Sequence, residues 1–491
     1  MISCALFLSH KMGLKMVGHH APKDEVQNAR WGAGKSWILL AFFAAIVAIE
    51  GGASRYDAVQ IVPLRAFSAL FLVLALAFLT KGKIRSDFGL VVIFGSLVII
   101  VLSQIVPLPP SFWQNLAGRG EIVELDAAVG QGGAWRPLTL APMRTWNVLG
   151  SLVVPAAALF VGISLSTSST ALLRIVAGLG IASATLGLLQ MVAGKASALY
   201  FYDVTNEGSP VGILANENHA AIFAACCMLV VTFLGLNARE AKIGAWERLL
   251  YPIAFVLLLF VSLVGGSRAG LVAALSAGLV SMIMLFLASR PRQKRRIDKL
   301  VQRGNRARPS LVLIVPVVLV SLAAVSFLAL DRSPAFRDIL TGDTLEDLRW
   351  SLWPVIVSML ENHFLFGTGF GSFEQAYHVY EPANLLMPLY VNQAHNDWAQ
   401  FVIEGGVLAC ALVAVLLAWL GRNIGVTAIR SANGVNAVFY ASLFVLVGVA
   451  SVIDYPLRTP LFQLVTVWLL LALSRDARDK KATEVASPKA I

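Results

Sequence analysis

The sequence predicts an all-α polytopic membrane protein with about twelve transmembrane helices, and three observations lead to this fold class. Of the 491 residues, 57% are hydrophobic and only 14% are charged, with a mean hydropathy of +0.74. A soluble domain carries roughly a quarter charged residues. Apolar runs long enough to span a bilayer recur along the chain. Lys and Arg are also unevenly distributed between alternate loops, as in membrane proteins of defined orientation.

The apolar runs set the positions of the predicted helices. Each has roughly the 20 residues that a transmembrane helix needs, and the first and last are the shortest. In chain order the runs cover residues 36–50, 63–80, 88–106, 146–165, 171–193, 218–236, 249–265, 269–289, 310–330, 396–420, 436–453 and 459–474.

The charge distribution predicts the orientation of these helices. If the N-terminus is cytoplasmic, the cytoplasmic segments hold 28 of the 39 Lys and Arg residues. The other side then holds 19 of the 28 acidic residues. This asymmetry follows the positive-inside rule and places both termini in the cytoplasm. The basic stretch RPRQKRRIDKLVQRGNRARP is interpreted as part of this topological signal, with contact to anionic lipid headgroups as an alternative.

The same parsing gives the predicted domain organisation. The largest connection has about 65 residues, and a loop of that size is usually functional. It contains TLEDLRWSLWPVIVSMLENH, which is typical of an amphipathic helix with acidic residues in its first turns. The segments are a loose cytoplasmic N-terminal extension (1–35), transmembrane helices 1–9 (36–330), a large periplasmic loop between helices 9 and 10 (331–395), transmembrane helices 10–12 (396–474) and a cytoplasmic tail (475–491).

Polar residues on the predicted exported side form five clusters that are candidates for a functional site. They are Asn216, Glu217, Asn218 and His219 in GILANENHAA, Arg268 in GGSRAG, Arg349 and Trp350 in the large loop, His395, Asn396, Asp397 and Glu404 in AHNDWAQFVIEGG, and Asp454 and Arg458 in DYPLRTP. Both Asn–His motifs lie at predicted helix N-termini, where free N–H groups favour anions. Arginine side chains suit phosphate, so three arginines at one membrane face could hold a diphosphate.

The stretch VNQAHNDWAQFVIEGGVLA carries an acid deep in an apolar helix. Asp397, Gln400 and Glu404 are spaced i, i+3 and i+7, which predicts one polar stripe facing other helices. At 1.5 Å per residue, Glu404 lies roughly 13 Å below His395. An acid at that depth is a functional candidate by default.

Structural interpretations of these residues compete with the functional ones. Asn396 or Asp397 could cap the helix, and Arg268 and Arg458 could be snorkelling interface residues. Glu404 could pair with a buried polar group to fix packing, and the following glycine pair predicts close helix contact. Trp350 and Trp353 could be anchors at the membrane interface or platforms that stack against sugars, and the sequence favours neither.

Taken in order, these motifs resemble the O-antigen ligase and polymerase family of bacterial inner-membrane proteins. The resemblance rests on GSRAG in a short turn, on RW followed by LENHFLFGTGFGSF, and on AHNDWAQFVIEGGVLA. It extends to GILANENHAA upstream and DYPLRTP downstream, and so covers roughly residues 135–475. One residue departs from the pattern: relatives often have a basic residue where this chain has Glu217.

The resemblance implies a GT-C-like helical fold and a multi-pass protein of the bacterial inner membrane. It implies a glycan donor on undecaprenyl diphosphate and an acceptor that is either another glycan or the lipid A core. Membrane lipids and other envelope polysaccharide assembly proteins are further implied partners, and nucleic acid is not. No cofactor and no metal is expected: the predicted exported side has no D-x-D motif and no Cys/His cluster suited to a metal.

The resemblance also implies roles for individual residues. His395, which resembles the essential histidine of the family, is expected to accept or position the proton of the acceptor hydroxyl. Arg268 and Arg458, with Arg349 as a further candidate, are expected to stabilise charge on the departing diphosphate. The expected substrate-binding residues are Arg458, Arg349, Asn396, His219 and Asn218, and the supporting residues are Asp397, Glu404 and Asp454.

A transporter, such as a flippase of the same lipid-linked glycan, is the alternative function. It would share the twelve helices and the basic residues, but charges along a central path would be expected rather than charges at one face. Within the enzyme interpretation, the shared motifs do not distinguish a ligase from a polymerase. The DYPLRTP ending favours a polysaccharide polymerase slightly.

Overall fold

The computed structural model describes residues 23–238, 245–289, 345–386, 391–431 and 433–478, and these residues are mostly helical. The helices, in chain order, are α1 Lys23–Glu50, α2 Ile61–Ala77, α3 Lys81–Ser86, α4 Phe88–Ser103, α5 Pro110–Trp113, α6 Gly120–Ala128, α7 Pro142–Ser151, α8 Val153–Ser164, α9 Ser169–Ala193, α10 Glu217–Asn237, α11 Ala245–Val264, α12 Arg268–Ser289, α13 Leu345–His363, α14 Phe373–Tyr380, α15 Asp397–Arg430, α16 Val435–Ile453 and α17 Pro460–Arg478. Short 3₁₀ turns occupy Ala383–Leu385 and Pro456–Arg458. Two short strands, β1 Pro107–Leu108 and β2 Arg136–Pro137, pair antiparallel.

Seven helical segments of the described chain are long and apolar enough to cross a membrane, by length and composition. They are Pro142–Ser164, Ser169–Ala193, Glu217–Asn237, Arg268–Ser289, Asp397–Arg430, Val435–Ile453 and Pro460–Arg478. Four shorter apolar helices, Ser36–Glu50, Ile61–Ala77, Phe88–Ser103 and Arg248–Val264, coincide with further predicted runs. The predicted ninth run, 310–330, lies outside the described residues. The total of twelve spans and the periplasmic position of the loop 331–395 therefore stay predictions.

Element boundaries differ from the predicted ones at both chain ends and in α15, which continues to Arg430 rather than ending near residue 420. Helix α1 begins at Lys23 rather than near residue 36, and α17 continues to Arg478 rather than ending near residue 474. Residues 1–22 and 479–491 lie outside the described residues. The division into extension, membrane segments, loop and tail stays a prediction.

Helix α10 forms the centre of the bundle. It is apolar on all sides, which is the pattern of a helix surrounded by other helices, and almost all of its side chains are buried. It packs against α9, α11, α12 and α16. Small residues permit close approach: a Cβ atom on Gly270 would lie 2.1 Å from the Cβ atom of Ala221.

Helices α10, α12, α15 and α17 all begin at one end of the bundle, which we call the site end. Backbone hydrogen bonds tie its connecting segments together. The Leu461 amide donates to the Gly51 carbonyl at 2.9 Å, and the Ala215 amide donates to the Gly52 carbonyl at 3.1 Å. The Asp397 amide donates to the Asp454 carbonyl at 3.4 Å. The predicted motifs that contain Asp397 and Asp454 thus meet at the site end.

A kink in α15 shapes the site end. Gly406 has φ +63° and ψ −155°, which interrupts the helix and frees the carbonyls of Ile403 and Glu404 from their helical partners. The glycine-rich segment FGTGFG supplies replacement donors. The amides of Thr368 and Gly369 donate to the Ile403 and Glu404 carbonyls, each at 2.9 Å.

Candidate functional site

Asp454 is the centre of a cluster at the site end. It follows α16, and its side chain is buried. Its Oδ2 atom accepts a hydrogen bond from Asn218 Nδ2 at 3.1 Å, and its Oδ1 atom accepts one from the Tyr455 amide at 3.0 Å. Two histidines lie near the same carboxylate: His395 Nδ1 is 3.7 Å from Oδ1, and His219 Nε2 is 3.9 Å from Oδ2.

His395 combines an unusual backbone with partial exposure. Its φ of +50° lies in the left-handed region, which non-glycine residues seldom adopt and which is often associated with function. The side chain is 32% exposed, whereas its Nδ1 atom is buried on the Asp454 side. Its ring packs against Tyr455 in a T-shaped arrangement, with centroids 5.1 Å apart. One side of the imidazole therefore faces a carboxylate, and the exposed part lies elsewhere on the ring.

His219 is a buried partner of this cluster rather than an exposed group. It is 1% exposed, and its Nδ1 atom lies 3.1 Å from the Thr459 hydroxyl oxygen. The Asn216 side chain accepts hydrogen bonds from the Asn218 and His219 amides and so caps α10. This cap fixes both residues relative to Asp454. The predicted Asn–His motif is thus brought to the DYPLRTP motif.

Arg458 lies between two acids of the predicted polar stripe. Its Nε atom is 3.5 Å from Asp397 Oδ1, and its NH2 atom is 3.4 Å from Glu404 Oε2. Both carboxylates are buried, while Arg458 is 23% exposed. Asp397 also accepts a hydrogen bond from the Leu457 amide at 3.1 Å, so it does not cap α15. Asn396 does so, accepting from the Ala399 amide at 3.0 Å.

Glu404 joins its own helix, α15, to three other parts of the structure. Its Oε1 atom accepts hydrogen bonds from Gln400 Nε2 at 3.1 Å and from the Phe373 amide at 3.3 Å. Its carbonyl accepts from Gln104 Nε2 at 2.8 Å. Together with Arg458, these contacts connect α15, the start of α14, the end of α4 and the segment before α17. Glu404 is therefore a satisfied buried acid that orients its neighbours.

A cavity of about 440 Å³ opens beside this cluster, within the size range of small-molecule sites. Asp397, Glu404 and Arg458 line it, together with Gln393 on the other side of His395 in the chain. Apolar side chains of several helices form further walls, among them Ile93, Phe94 and Leu97 of α4, Leu412, Val413 and Leu416 of α15, and Val467 and Leu470 of α17. The cavity therefore has a charged part and an apolar part.

Two arginines that the sequence interpretation missed also line the cavity. Arg65 NH1 donates to the Asn147 side-chain oxygen at 2.7 Å, and Arg65 NH2 donates to the Asn147 carbonyl at 3.1 Å. Arg144 NH2 lies 3.5 Å from Glu374 Oε2, and its guanidinium lies 3.7 Å from the ring centroid of Tyr56. A signal existed in IVPLRAF, where Arg65 interrupts an apolar run, since ionisable residues in such runs are functional candidates.

The other predicted arginines have different positions. Arg268 is the first residue of α12, and Ser267 Oγ accepts a hydrogen bond from the Gly270 amide at 2.8 Å. The next residue, Ala269, lines a small recess with His219 and Asp454. Arg268, at the start of α12, thus follows the backbone beside the Asp454 cluster but does not line the large cavity. Arg349 lies in α13, and its side chain is outside the described part of the structure.

Among the described residues, no group of three or more His, Cys, Asp or Glu side chains could hold a metal ion. The cluster around Asp454 contains two histidines and one carboxylate, but the histidine nitrogens face that carboxylate rather than a common point. The expectation that no metal takes part stays a prediction.

Comparison with known proteins identifies a domain in the middle of the chain. Residues 253–414 match the model of a family described as O-antigen ligase (Wzy_C), which confirms the resemblance found in the motifs. The matched segment includes Arg268, Arg349, His395 and Glu404. Asp454 and Arg458 lie beyond it. No curated protein matches the chain.

Proposed function

We propose, from the premise that residues 253–414 form an O-antigen ligase domain, that the protein transfers a glycan from undecaprenyl diphosphate to an acceptor hydroxyl at the periplasmic face of the inner membrane. The domain supports a role in O-antigen or polysaccharide assembly by an integral membrane protein. The donor, the acceptor and the face of the membrane are the proposed parts.

The chemical step is a substitution at the anomeric carbon of the donor glycan. The acceptor oxygen forms the new C–O bond, while the bond between the anomeric carbon and the diphosphate oxygen breaks. The electron pair of that bond leaves with undecaprenyl diphosphate. The acceptor proton passes to His395, which acts as general base.

The proposal rests on the position of His395. Its ring is partly exposed, its buried Nδ1 atom faces the Asp454 carboxylate, and residues on both sides of it in the chain, Gln393 and Asp397, line the cavity. A carboxylate behind an imidazole orients the ring and stabilises the protonated form that develops during proton transfer. His395 is not itself a lining residue, so the proposal requires that the reacting end of a donor in the cavity reaches past Gln393 or Asp397 to this histidine.

Roles for the other site residues follow from their contacts. Asn218 and His219 are proposed to hold Asp454 in place rather than to touch the glycan, since both are directed at its Oδ2 atom. Asn396, Arg268 and Arg349 remain proposed substrate-binding residues. For Arg458, the two adjacent carboxylates favour a structural contribution alongside the predicted one.

The test is glycan transfer by purified protein in proteoliposomes, with an undecaprenyl diphosphate-linked repeat unit as donor. His395→Ala should reduce transfer by about 100-fold or more, the size of effect typical for loss of a general base. His378→Ala is the matched control, because His378 is 49% exposed on α14 and contacts Glu381. Equal transfer by wild type and His395→Ala would remove the histidine from the mechanism.

A deletion strain distinguishes the forms of the activity. A single repeat unit on the lipid A core, or loss of exopolysaccharide with accumulation of single lipid-linked units, indicates a polymerase. Bare core with full-length glycan on the periplasmic carrier indicates a ligase. Glycan trapped on the cytoplasmic leaflet would contradict the transferase and support a flippase.

A further inference from the structure

We propose that the diphosphate of a polyprenyl diphosphate lipid binds at the Arg65–Arg144 end of the cavity, with the start of its prenyl chain along the apolar wall of α4, α15 and α17. This assignment rests on the proposed function for the identity of the lipid. It differs from the expectation that the arginines of the GGSRAG and DYPLRTP motifs hold the diphosphate.

Asn147 brings Arg65 and Arg144 close together in space. Asn147 follows Arg144 by three positions in α7, so both project from the same face of that helix. Arg65 of α2 donates two hydrogen bonds to Asn147. The two guanidinium groups are thereby brought to the same part of the cavity wall.

The charges around the cavity are unevenly balanced. Arg458 has two carboxylates within 3.5 Å, those of Asp397 and Glu404. Arg144 lies 3.5 Å from one carboxylate, that of Glu374, and the nearby Asp57 carboxylate is itself paired with Arg55 at 2.7 Å. In the described part of the chain, the hydrogen-bond acceptors of Arg65 are the neutral oxygens of Asn147. The Arg65–Arg144 end therefore carries excess positive charge, and the Arg458 end carries excess negative charge.

This asymmetry predicts where an anion binds. A diphosphate at the Arg458 end would meet two carboxylates, and like charges in a desolvated site repel strongly. At the Arg65–Arg144 end it would meet two planar guanidinium groups, which suit phosphate oxygens. Tyr56 and Asn147 hold these groups in position before a ligand arrives. A preorganised site of this kind reduces the cost of binding.

The apolar wall indicates that the anion is part of a lipid. Side chains such as Phe94, Leu416 and Leu470 offer no hydrogen bonds to a free phosphate or to a sugar, whereas a prenyl chain would bury apolar surface against them at about 25 cal/mol per Å². The cavity therefore offers arginines for the diphosphate and an apolar wall for the prenyl chain of the proposed ligand.

Binding can be measured separately from transfer, with undecaprenyl diphosphate that carries no glycan. Wild-type protein in phosphatidylcholine nanodiscs is titrated with this lipid, and microscale thermophoresis gives Kd. We expect Arg65→Gln and Arg144→Gln each to raise Kd by about tenfold or more, since each removes a charged hydrogen-bond donor. Arg65→Lys, which keeps the positive charge, should raise Kd less than Arg65→Gln does. Arg422→Gln, at an exposed position of α15 away from the cavity, should behave as wild type.

Three outcomes separate this site from the proposed function. If the arginine variants raise Kd while His395→Ala leaves it within about twofold, as expected for a residue outside the lipid contacts, the assignment stands whatever the transfer assay gives. If Arg65→Gln and Arg144→Gln remain folded by thermal unfolding and bind as wild type does, the diphosphate lies elsewhere. Inorganic diphosphate that binds as tightly as the lipid would overturn the role of the apolar wall.

Discussion

The Nδ1 atom of His395 lies 3.7 Å from the Oδ1 atom of Asp454, and both atoms are on the inner side of the site end. This separation is longer than a hydrogen bond, and catalytic hydrogen bonds are often long before substrate binds. Asp454 is itself fixed by Asn218 and by the Tyr455 amide. The carboxylate is thus a fixed reference that can orient the imidazole.

Asp454→Asn should lower kcat about tenfold or more with little change in KM for the donor. The asparagine side chain would keep the size of aspartate and one hydrogen-bond acceptor oxygen, but without a negative charge it would no longer stabilise a protonated His395. Asp454→Glu should recover part of the rate. Asp203→Asn, at an exposed position in the loop before α10, is the matched control for the charge change. A rise in KM with unchanged kcat would indicate that Asp454 binds substrate instead.

Local sequence patterns were sufficient to predict much of the site. The i, i+3, i+7 spacing of Asp397, Gln400 and Glu404 placed them on one face, and the structure shows the Gln400–Glu404 hydrogen bond and one arginine contacting both acids. Helix-entry motifs also indicated which residues meet at the site end. Such features depend on periodicity and capping, which act over a few residues.

Long-range pairings could not be predicted in the same way. The Arg65–Asn147 and Arg144–Glu374 contacts join residues 82 and 230 positions apart. They depend on which helices are neighbours in the bundle, and the apolar pattern of each helix is compatible with several neighbours. The kink at Gly406 was also missed, because the paired glycines predicted close contact without indicating that the backbone reverses its φ angle there.

Gly406→Ala should destabilise the protein by about 2–4 kcal/mol, through the positive φ and steric overlap. A Cβ atom at this position would lie 2.7 Å from the Phe366 carbonyl carbon and 2.8 Å from the Gly367 nitrogen. Gly421→Ala is the control on the same helix, where a Cβ atom meets nothing within 4 Å. It should be neutral or stabilising by up to about 1 kcal/mol. Equal apparent Tm values for the two variants in detergent would show that the kink is not required.

Arg458→Gln should be more destabilising than Glu404→Gln. Removing the arginine leaves the buried carboxylates of Asp397 and Glu404 without their common partner, which typically costs about 3–5 kcal/mol. The change at Glu404 leaves Arg458 with Asp397 still 3.5 Å away. The double variant should recover part of the loss, and a double-mutant cycle on apparent Tm measures this coupling. Additive losses would mean that the ion pair has no structural effect, and would favour the predicted contact between Arg458 and substrate.

Acidification should destabilise the packing of α13 against α14, and His363 is the group whose protonation causes this. This side chain is 5% exposed, and its Nε2 atom lies 3.0 Å from the Tyr380 hydroxyl oxygen. Burial, with a smaller contribution from the charge of Arg119, lowers the pKa of His363 below its ordinary value of 6.5.

Because the pKa of His363 is lower in the folded state, the unfolded chain binds more protons between the two pKa values. The stability contributed by neutral His363 is therefore present above about pH 6.5 and is lost as the pH falls through the folded pKa. Apparent Tm should decrease between pH 7.5 and pH 5.5 in wild type, and decrease less in His363→Gln, whose amide does not titrate. His378→Gln, which alters an exposed histidine on α14, should keep the wild-type dependence. The same dependence in His363→Gln as in wild type would assign the effect to another group.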